Sequence, residues 1–224
     1  MISIQYQPKH HNQIIHSCVK ALKQAKAIAY PTDTSYGLAV DALNIKAIKK
    51  LYKIKGRDYH KPVHVVVPSV NYAKRIVVWD RSANKFANKF WPGPLTLVLG
   101  LKSQNRSLRQ LTAKTGFLGV RMPKNPIALD LAKALKRPIT ATSANVSGMP
   151  DCYSTDDIFN QFKNKRYRPD FVLNAGKLPR RKPSTLVRIE SVSHKLGQRS
   201  GAGEIVILRQ GQIRKVQILK KVKT

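Results

Sequence analysis

Two short groups of residues hold the chemistry most legible in this chain. Lys55-Gly56-Arg57 sets two cations one residue apart, and Ser143-Ala144-Asn145-Val146-Ser147 is a run of small hydroxyl and amide side chains. Cations neutralise phosphate charge, and hydroxyls and amides fix orientation without adding any. Together they suit a ligand that is both phosphorylated and hydrogen-bonded. A third group, YPTDTSYGL at 30–38, brings three hydroxyls, a tyrosine and a glycine to the end of an apolar strand, a usual place for ligand groups in open sheets. Arg121, ending LGVRM, is a single cation on an otherwise apolar strand, with the geometry to grip a carboxylate at two points.

Each group also has a plain structural reading. Lys-x-Arg recurs by chance in a chain with 42 Lys+Arg. Hydroxyl-rich segments cap turns, and Arg121 could satisfy a carboxylate of the core. Other chemistries find no support. There is no Walker loop, no nucleophile elbow and no Cys-x-x-Cys. His10, His11 and His16 lack the i, i+4 spacing of a zinc site, so no resident metal is expected. The 11 Asp+Glu do not cluster, so any Mg²⁺ would be held mainly by ATP-type phosphates and water.

The elements that must position these residues follow from periodicity. Residues 12–26 show helical spacing of Ile14, Ile15, Cys18, Val19 and Leu22, and AIAY at 27–30 reads as a buried strand. Asn44 can cap a helix that Gly56 stops, which would place Lys55 and Arg57 at its exit into a loop. VHVVV, LTLVLGL, FLGVRM and PITATS read as strands, with helices at 82–90 and 125–136. Further strands are expected at 171–174, 185–189 and 205–209. GQRSGAGE at 197–204 reads as a mobile loop, and the alternating end from 213 as an edge strand or a flexible arm. Strands and helices mix without a strict βαβ rhythm, which argues an α/β or α+β sheet of mixed direction.

Length fits one large domain with at most a small appendage. No apolar run is long enough to span a membrane, and Cys18 and Cys152 read as free thiols of a reducing cytoplasm. A net charge of +31 implies a polyanionic partner, nucleic acid first; a lysine-rich surface without function is the competing explanation. Two stretches are denser: 163–182 has eight basic residues against one Asp, and six basic residues and no acid follow Glu204.

In combination, AIAYPTDTSYGL, KIKGR followed by KPVHVVV, FWPGPLTLVL, and GVRMP followed by PITATSANVSGMP resemble the YrdC/TsaC family in order and spacing. The likeness is strong over roughly 12–160 and continues weakly through KPSTLVRI and ILRQG to about 213. It implies a YrdC-like twisted, mixed β-sheet flanked by helices with a concave basic face over 1–213, a basic tail at 214–224, and the short, single-domain bacterial form. It further implies synthesis of threonylcarbamoyl-adenylate and pyrophosphate from L-threonine, bicarbonate or CO₂, and ATP. That product feeds the t6A modification at position 37 of tRNA through a downstream threonylcarbamoyl-transferase complex. Carried over residue by residue, Lys55 and Arg57 would be catalytic. Those two, with Lys61, Ser143, Asn145 and Arg209, would contact ATP; Thr32, Thr34, Tyr36, Arg121 and Ser184 would hold threonine. Two other readings compete: an RNA-binding module on the same fold, for which tRNA or duplex RNA is the partner, and a carbamoyl-transfer domain such as those inside hydrogenase-maturation proteins.

Overall fold

The computed structural model describes residues 1–190 and 204–222. In chain order it runs β1 (Ile2–Gln5), α1 (His11–Lys23), β2 (Ile28–Tyr30), β3 (Gly37–Ala39), α2 (Ile45–Lys55) and β4 (His64–Val66). There follow α3 (Val70–Ile76), α4 (Arg81–Phe90), β5 (Leu95–Gly100), α5 (Arg106–Leu111), β6 (Phe117–Arg121) and α6 (Pro126–Leu135). The chain then forms β7 (Ile139–Ser143), α7 (Thr155–Phe162), β8 (Phe171–Asn174), β9 (Thr185–Glu190), β10 (Glu204–Arg209) and α8 (Lys215–Val222).

The strands form one sheet in the order β1-β8-β2-β3-β7-β4-β6-β5-β9-β10, with parallel and antiparallel neighbours interleaved. Apolar side chains cover both faces. Ile15, Cys18, Val19 and Leu22 of α1 pack with Ile127, Leu131 and Leu135 of α6 against Ile28, Val66 and Ile139. The opposite face carries the larger core, including Ile48 and Leu51 of α2, Phe86 of α4 and Val65, Leu97 and Val120 of the sheet. Burying both faces explains why the strands read as apolar runs rather than as alternation.

Local signals set the ends of the helix that matters most. Asn44 Oδ1 accepts from Lys46 N and Ala47 N, satisfying donors the first turn of α2 leaves open. Gly56 stops it in the left-handed region at φ 54°, where a Cβ would be strained. Pro126 opens α6 behind an Asn125 cap, and WPGP is a turn with a cis Trp91–Pro92 peptide in which Trp91 Nε1 donates to Leu95 O at 2.9 Å.

The end of the chain differs from both expectations for it. Residues 215–222 are helical, and α8 rests on α4 with Ile218 fully buried. Val216 and Ile218 fit an alternating pattern and Ile213, Val216 and Leu219 a helical one; the structure takes the helix and packs Ile218 inward. Thr185 Oγ1 anchors the approach, accepting from Gly211 N and Ile213 N and donating to Ile213 O. The GQRSGAGE loop lies outside the described residues but for Glu204. No helix among the described residues is long and apolar enough to cross a membrane.

Candidate functional site

On the sheet face that α1 and α6 cover in part, a different set of residues takes over beyond them. Register puts Gly37 beside Ser143, Ala141 beside His64, and Arg121 beside Val66. By two-residue alternation, Ala141 and Ser143 of β7, His64 of β4, Gly119 and Arg121 of β6 and Thr96 of β5 share one face. This is the floor of a cavity of about 250 Å³. Glycine at 119 is what admits the His64 ring, because a Cβ there would overlap it. The walls are the 32–36 loop, the Arg57–Pro62 turn, and Ser184 with Arg209.

The two groups first read from the sequence meet beside this cavity as one unit. Lys55 is 2% exposed. Its ammonium donates to Ser143 O at 2.6 Å and to Asn145 O and Oδ1, each at 2.9 Å, which uses all three hydrogens. Ser147 N returns a bond to Lys55 O at 2.8 Å, and Ser143 Oγ donates to Asn145 Oδ1 at 2.7 Å. Asn145 Nδ2 turns to Met149 O. Lys55 lies at the helix-to-loop exit, as the sequence placed it, and is buried there as the clamp of the Ser143–Ser147 loop, because α2's last turn faces β7 rather than solvent. Arg57 does enter the cavity, half-buried, its Nη2 donating to Pro62 O at 2.9 Å.

Among the other expected ATP contacts, Ser143 and Arg209 line the cavity, whereas Lys55, Asn145 and Lys61 do not. Lys61 is exposed, and its carbonyl accepts from Tyr52 Oη and Arg57 Nε. Arg209 donates to Ser184 O through Nη2 at 3.0 Å and Nε at 3.3 Å, and Ser184 Oγ lies 2.9 Å from Thr96 Oγ1.

The residues expected to hold an amino acid all line the cavity. Thr32 Oγ1 donates to Ser35 O and accepts from Thr34 N, which folds the loop onto itself. Tyr36 lines the cavity with its hydroxyl already engaged. Its hydroxyl donates to Gly176 O at 2.8 Å and accepts from Ala175 N, so it braces the loop before Leu178 and has no hydrogen to offer a ligand. Arg121 Nη2 pairs with Asp33 Oδ1 at 2.6 Å, both side chains 9% exposed. The carboxylate it grips is therefore the protein's own. Arg121 Nε and Asp33 Oδ2 remain buried without partners among the described residues.

Sequence reasoning missed His64, Thr96, Thr142 and Asp151, which also line the cavity. The quoted segments KPVHVVV and PITATS held two of them, and a polar residue on an apolar strand was the available signal. Burial, with Arg209, Arg121 and Arg57 nearby, pushes the His64 imidazole down to about 4, so it is neutral near pH 7. Burial, then Arg57, lowers Lys55 to about 7. Against three guanidiniums the lining offers one carboxylate, Asp151. Arg121 is paired with Asp33, so Arg57 and Arg209 stand against Asp151 alone and the cavity favours an anion.

The comparisons agree with this chemistry. The Sua5/YciO/YrdC family model, described as telomere recombination, matches residues 20–211. A Methanocaldococcus jannaschii relative is 34% identical over 178 residues, 80% of this chain and 81% of its own. The Pyrococcus abyssi threonylcarbamoyl-AMP synthase is 38% identical over 148 residues, 64% of this chain but 42% of that protein. The crystal structure of P. abyssi Sua5 complexed with L-threonine aligns with a TM-score of 0.83 at 28% identity, over 99% of this chain and 60% of that one. This chain thus corresponds to only part of the Pyrococcus protein.

Proposed function

The chain belongs to the Sua5/YciO/YrdC family, and we propose that it is a threonylcarbamoyl-AMP synthase, a nucleotidyltransferase acting on L-threonine, bicarbonate or CO₂, and ATP. The observation that carries this is the convergence of Arg57, Arg121 and Arg209 on one hydroxyl-lined cavity with a single lining carboxylate. Threonine lies against Thr32, Thr34 and Ser184, with its carboxylate drawn to the Arg121 side. The deprotonated amine attacks bicarbonate, forming the carbamate C–N bond and releasing water. The new carboxylate attacks the α-phosphorus of ATP, and pyrophosphate leaves. Arg57 and Arg209 stabilise the charge gathering on the leaving group, and no side chain needs to become a covalent nucleophile.

The Lys55-clamped loop presents Ser143 to the nucleotide and keeps its shape through the step. Of the ATP contacts expected from the sequence, Arg57, Ser143 and Arg209 are retained as direct ones; Lys55 and Asn145 act by holding the loop. Any Mg²⁺ enters on the triphosphate, since Asp33 is engaged by Arg121 and Asp151 is the one lining carboxylate. The reaction belongs to the cytoplasm, where Cys18 and Cys152 stay reduced. The adenylate passes to a threonylcarbamoyl-transferase complex acting on tRNA, and tRNA or duplex RNA is a partner.

The test is mass spectrometry of the product formed from ATP, threonine and ¹³C-bicarbonate, with pyrophosphate release measured in parallel. Labelled threonylcarbamoyl-AMP, absent when threonine is omitted, is the expected result. Pyrophosphate release without threonine would overturn the assignment.

A further inference from the structure

Helix α2 divides the molecule's cations. Lys55 is buried at its last turn and followed by Arg57, while Lys46, Lys49, Lys50 and Lys53 form a stripe on its outer side with no acidic residue in the helix. Lys53 and Lys55 point about 200° apart around the axis. The outer stripe meets residues 163–168, KNKRYR, all exposed and four of them cationic. Contacts fix this meeting. Lys50 Nζ lies 2.5 Å and Lys26 Nζ 3.7 Å from Asp170. Lys53 Nζ stands 5.3 Å, and the Arg166 guanidinium 5.5 Å, from the centre of the Tyr167 ring.

Beneath them is a cleft of about 390 Å³ lined by Lys26, Lys50, Arg166, Tyr167, Arg168 and Asp170, with the chain's first two residues at its edge. Asp170 is its one carboxylate, already taken by Lys26, Lys50 and Ala27 N. Lys53, Lys163, Lys165, Arg166 and Arg168 have no carboxylate partner among the described residues. Tyr167 is 40% exposed among them. Unpaired cations around an exposed ring are what single-stranded nucleic acid binds: cations track the phosphates, and the ring or the Arg166 plane stacks on a base. A duplex hides its base faces and would use only the charge.

We propose that the Lys53–Tyr167–Arg168 surface is a docking site for an unpaired segment of RNA, separate from the catalytic cavity. This deepens the proposal of an RNA partner and does not depend on the chemistry of the cavity. The experiment uses full-length protein, a short single-stranded RNA and an RNA duplex of equal length, each titrated over a range of salt. Lys53→Gln/Arg166→Gln/Arg168→Gln is compared with a control of equal charge loss elsewhere, Arg106→Gln/Arg109→Gln/Lys114→Gln. Tyr167→Ala and Tyr167→Phe test the ring.

The patch variant is expected to lose at least about 30-fold in single-strand affinity at low salt, and its log K against log salt slope to flatten by about 2, three phosphates at about 0.7 each. Tyr167→Ala is expected to lose roughly 5- to 100-fold on the single strand with an unchanged salt slope, and Tyr167→Phe to retain binding. Adenylate synthesis measured without RNA should stay within about twofold in every variant, showing that each folds. Equal losses from the control variant would overturn the proposal in favour of diffuse charge. So would an unchanged Tyr167→Ala, or binding of the duplex alone. Absent adenylate synthesis in wild type alongside these binding results would instead sink the enzyme assignment and leave the docking site standing.

Discussion

The two cationic surfaces beside α2 are built from the same residue types and held in opposite ways. In the cavity every cation is fixed by the protein: Arg121 by Asp33, Arg209 by Ser184, Arg57 by Pro62, and Lys55 beside it by the loop it clamps. Around Tyr167, Lys53, Lys163, Lys165, Arg166 and Arg168 are exposed and lack carboxylate partners among the described residues, while Lys26 and Lys50 share Asp170. Fixed donors stabilise developing charge without reorganising; mobile ones suit a ligand bound mainly through its backbone charge. Net charge alone could not have separated these roles.

The sharpest way to break this comparison is to remove a fixed cation. Arg121→Ala leaves Asp33 buried without a counter-charge, so we expect a loss of about 3–5 kcal/mol in urea unfolding, with a pyrophosphate-release rate reduced at least about 100-fold. Arg121→Ala with wild-type stability would show that the ion pair is not held in solution. Lys55 and Arg57 come next. Both variants to Ala should lower the rate by roughly 100-fold, but only Lys55→Ala should also destabilise the fold, since it removes the buried donor shared by Ser143 O and Asn145 O and Oδ1. Equal stabilities for the two would contradict the clamp.

Acidity sharpens the same contrast. Burial, and then the Arg57 guanidinium, bring the Lys55 ammonium down to about 7, well below the ordinary lysine value. As pH rises through about 7 the amine keeps two hydrogens for three acceptors and the loop loosens. kcat/KM is therefore expected to fall by up to about tenfold per pH unit on this limb. Stability should move the other way. Between about 7 and 10.5 the unfolded chain binds the proton and the folded one does not, so this group's contribution rises with pH. Bound triphosphate raises the lysine's pKa, so the limb in kcat at saturating ATP should lie higher. A profile flat across this range would remove the ammonium from the mechanism. His64, near 4, should contribute no limb at all between pH 6 and 9.

Much of the frame could be read from the chain because strong local signals coincided with tertiary demand. Asn44 and Gly56 bound α2 within a residue of expectation, and the PITATS strand ends in its hydroxyl loop as read. The short helices α3, α5 and α7 were not foreseen, as six to eight residues carry too little periodicity. Within the site, residue identity was legible and direction was not. Nothing in KIKGR tells that Lys55 turns under the Ser143–Ser147 loop while Arg57 enters the cavity, because that depends on β7 passing beside the last turn of α2. Nor does YPTDTSYGL announce that the Tyr36 hydroxyl is taken by residues 175 and 176, about 140 positions away. Asp33 was on the page in that same segment, but its pairing with Arg121 joins β6 to a loop 88 residues earlier.

The smallest effect is expected at the end of the chain, where a basic tail proved to be a packed helix. Removing 214–224 outright would strip Ile218 from its seat near α4 along with the charges, and would confuse folding with binding. Ile218→Ala separates them. A fully buried isoleucine cut to alanine should cost about 2–5 kcal/mol in denaturant unfolding. The adenylate-forming rate should change by less than about threefold, because no residue of α8 lines the cavity. Lys215→Gln, on the exposed side, should leave both stability and rate within error and lower RNA affinity only slightly. A collapse of adenylate synthesis in Ile218→Ala, under conditions where the protein remains folded by near-UV circular dichroism, would mean that α8 governs the cavity through Arg209 and the Thr185 anchor. The line drawn here between a fixed catalytic surface and a separable remainder would then have to move.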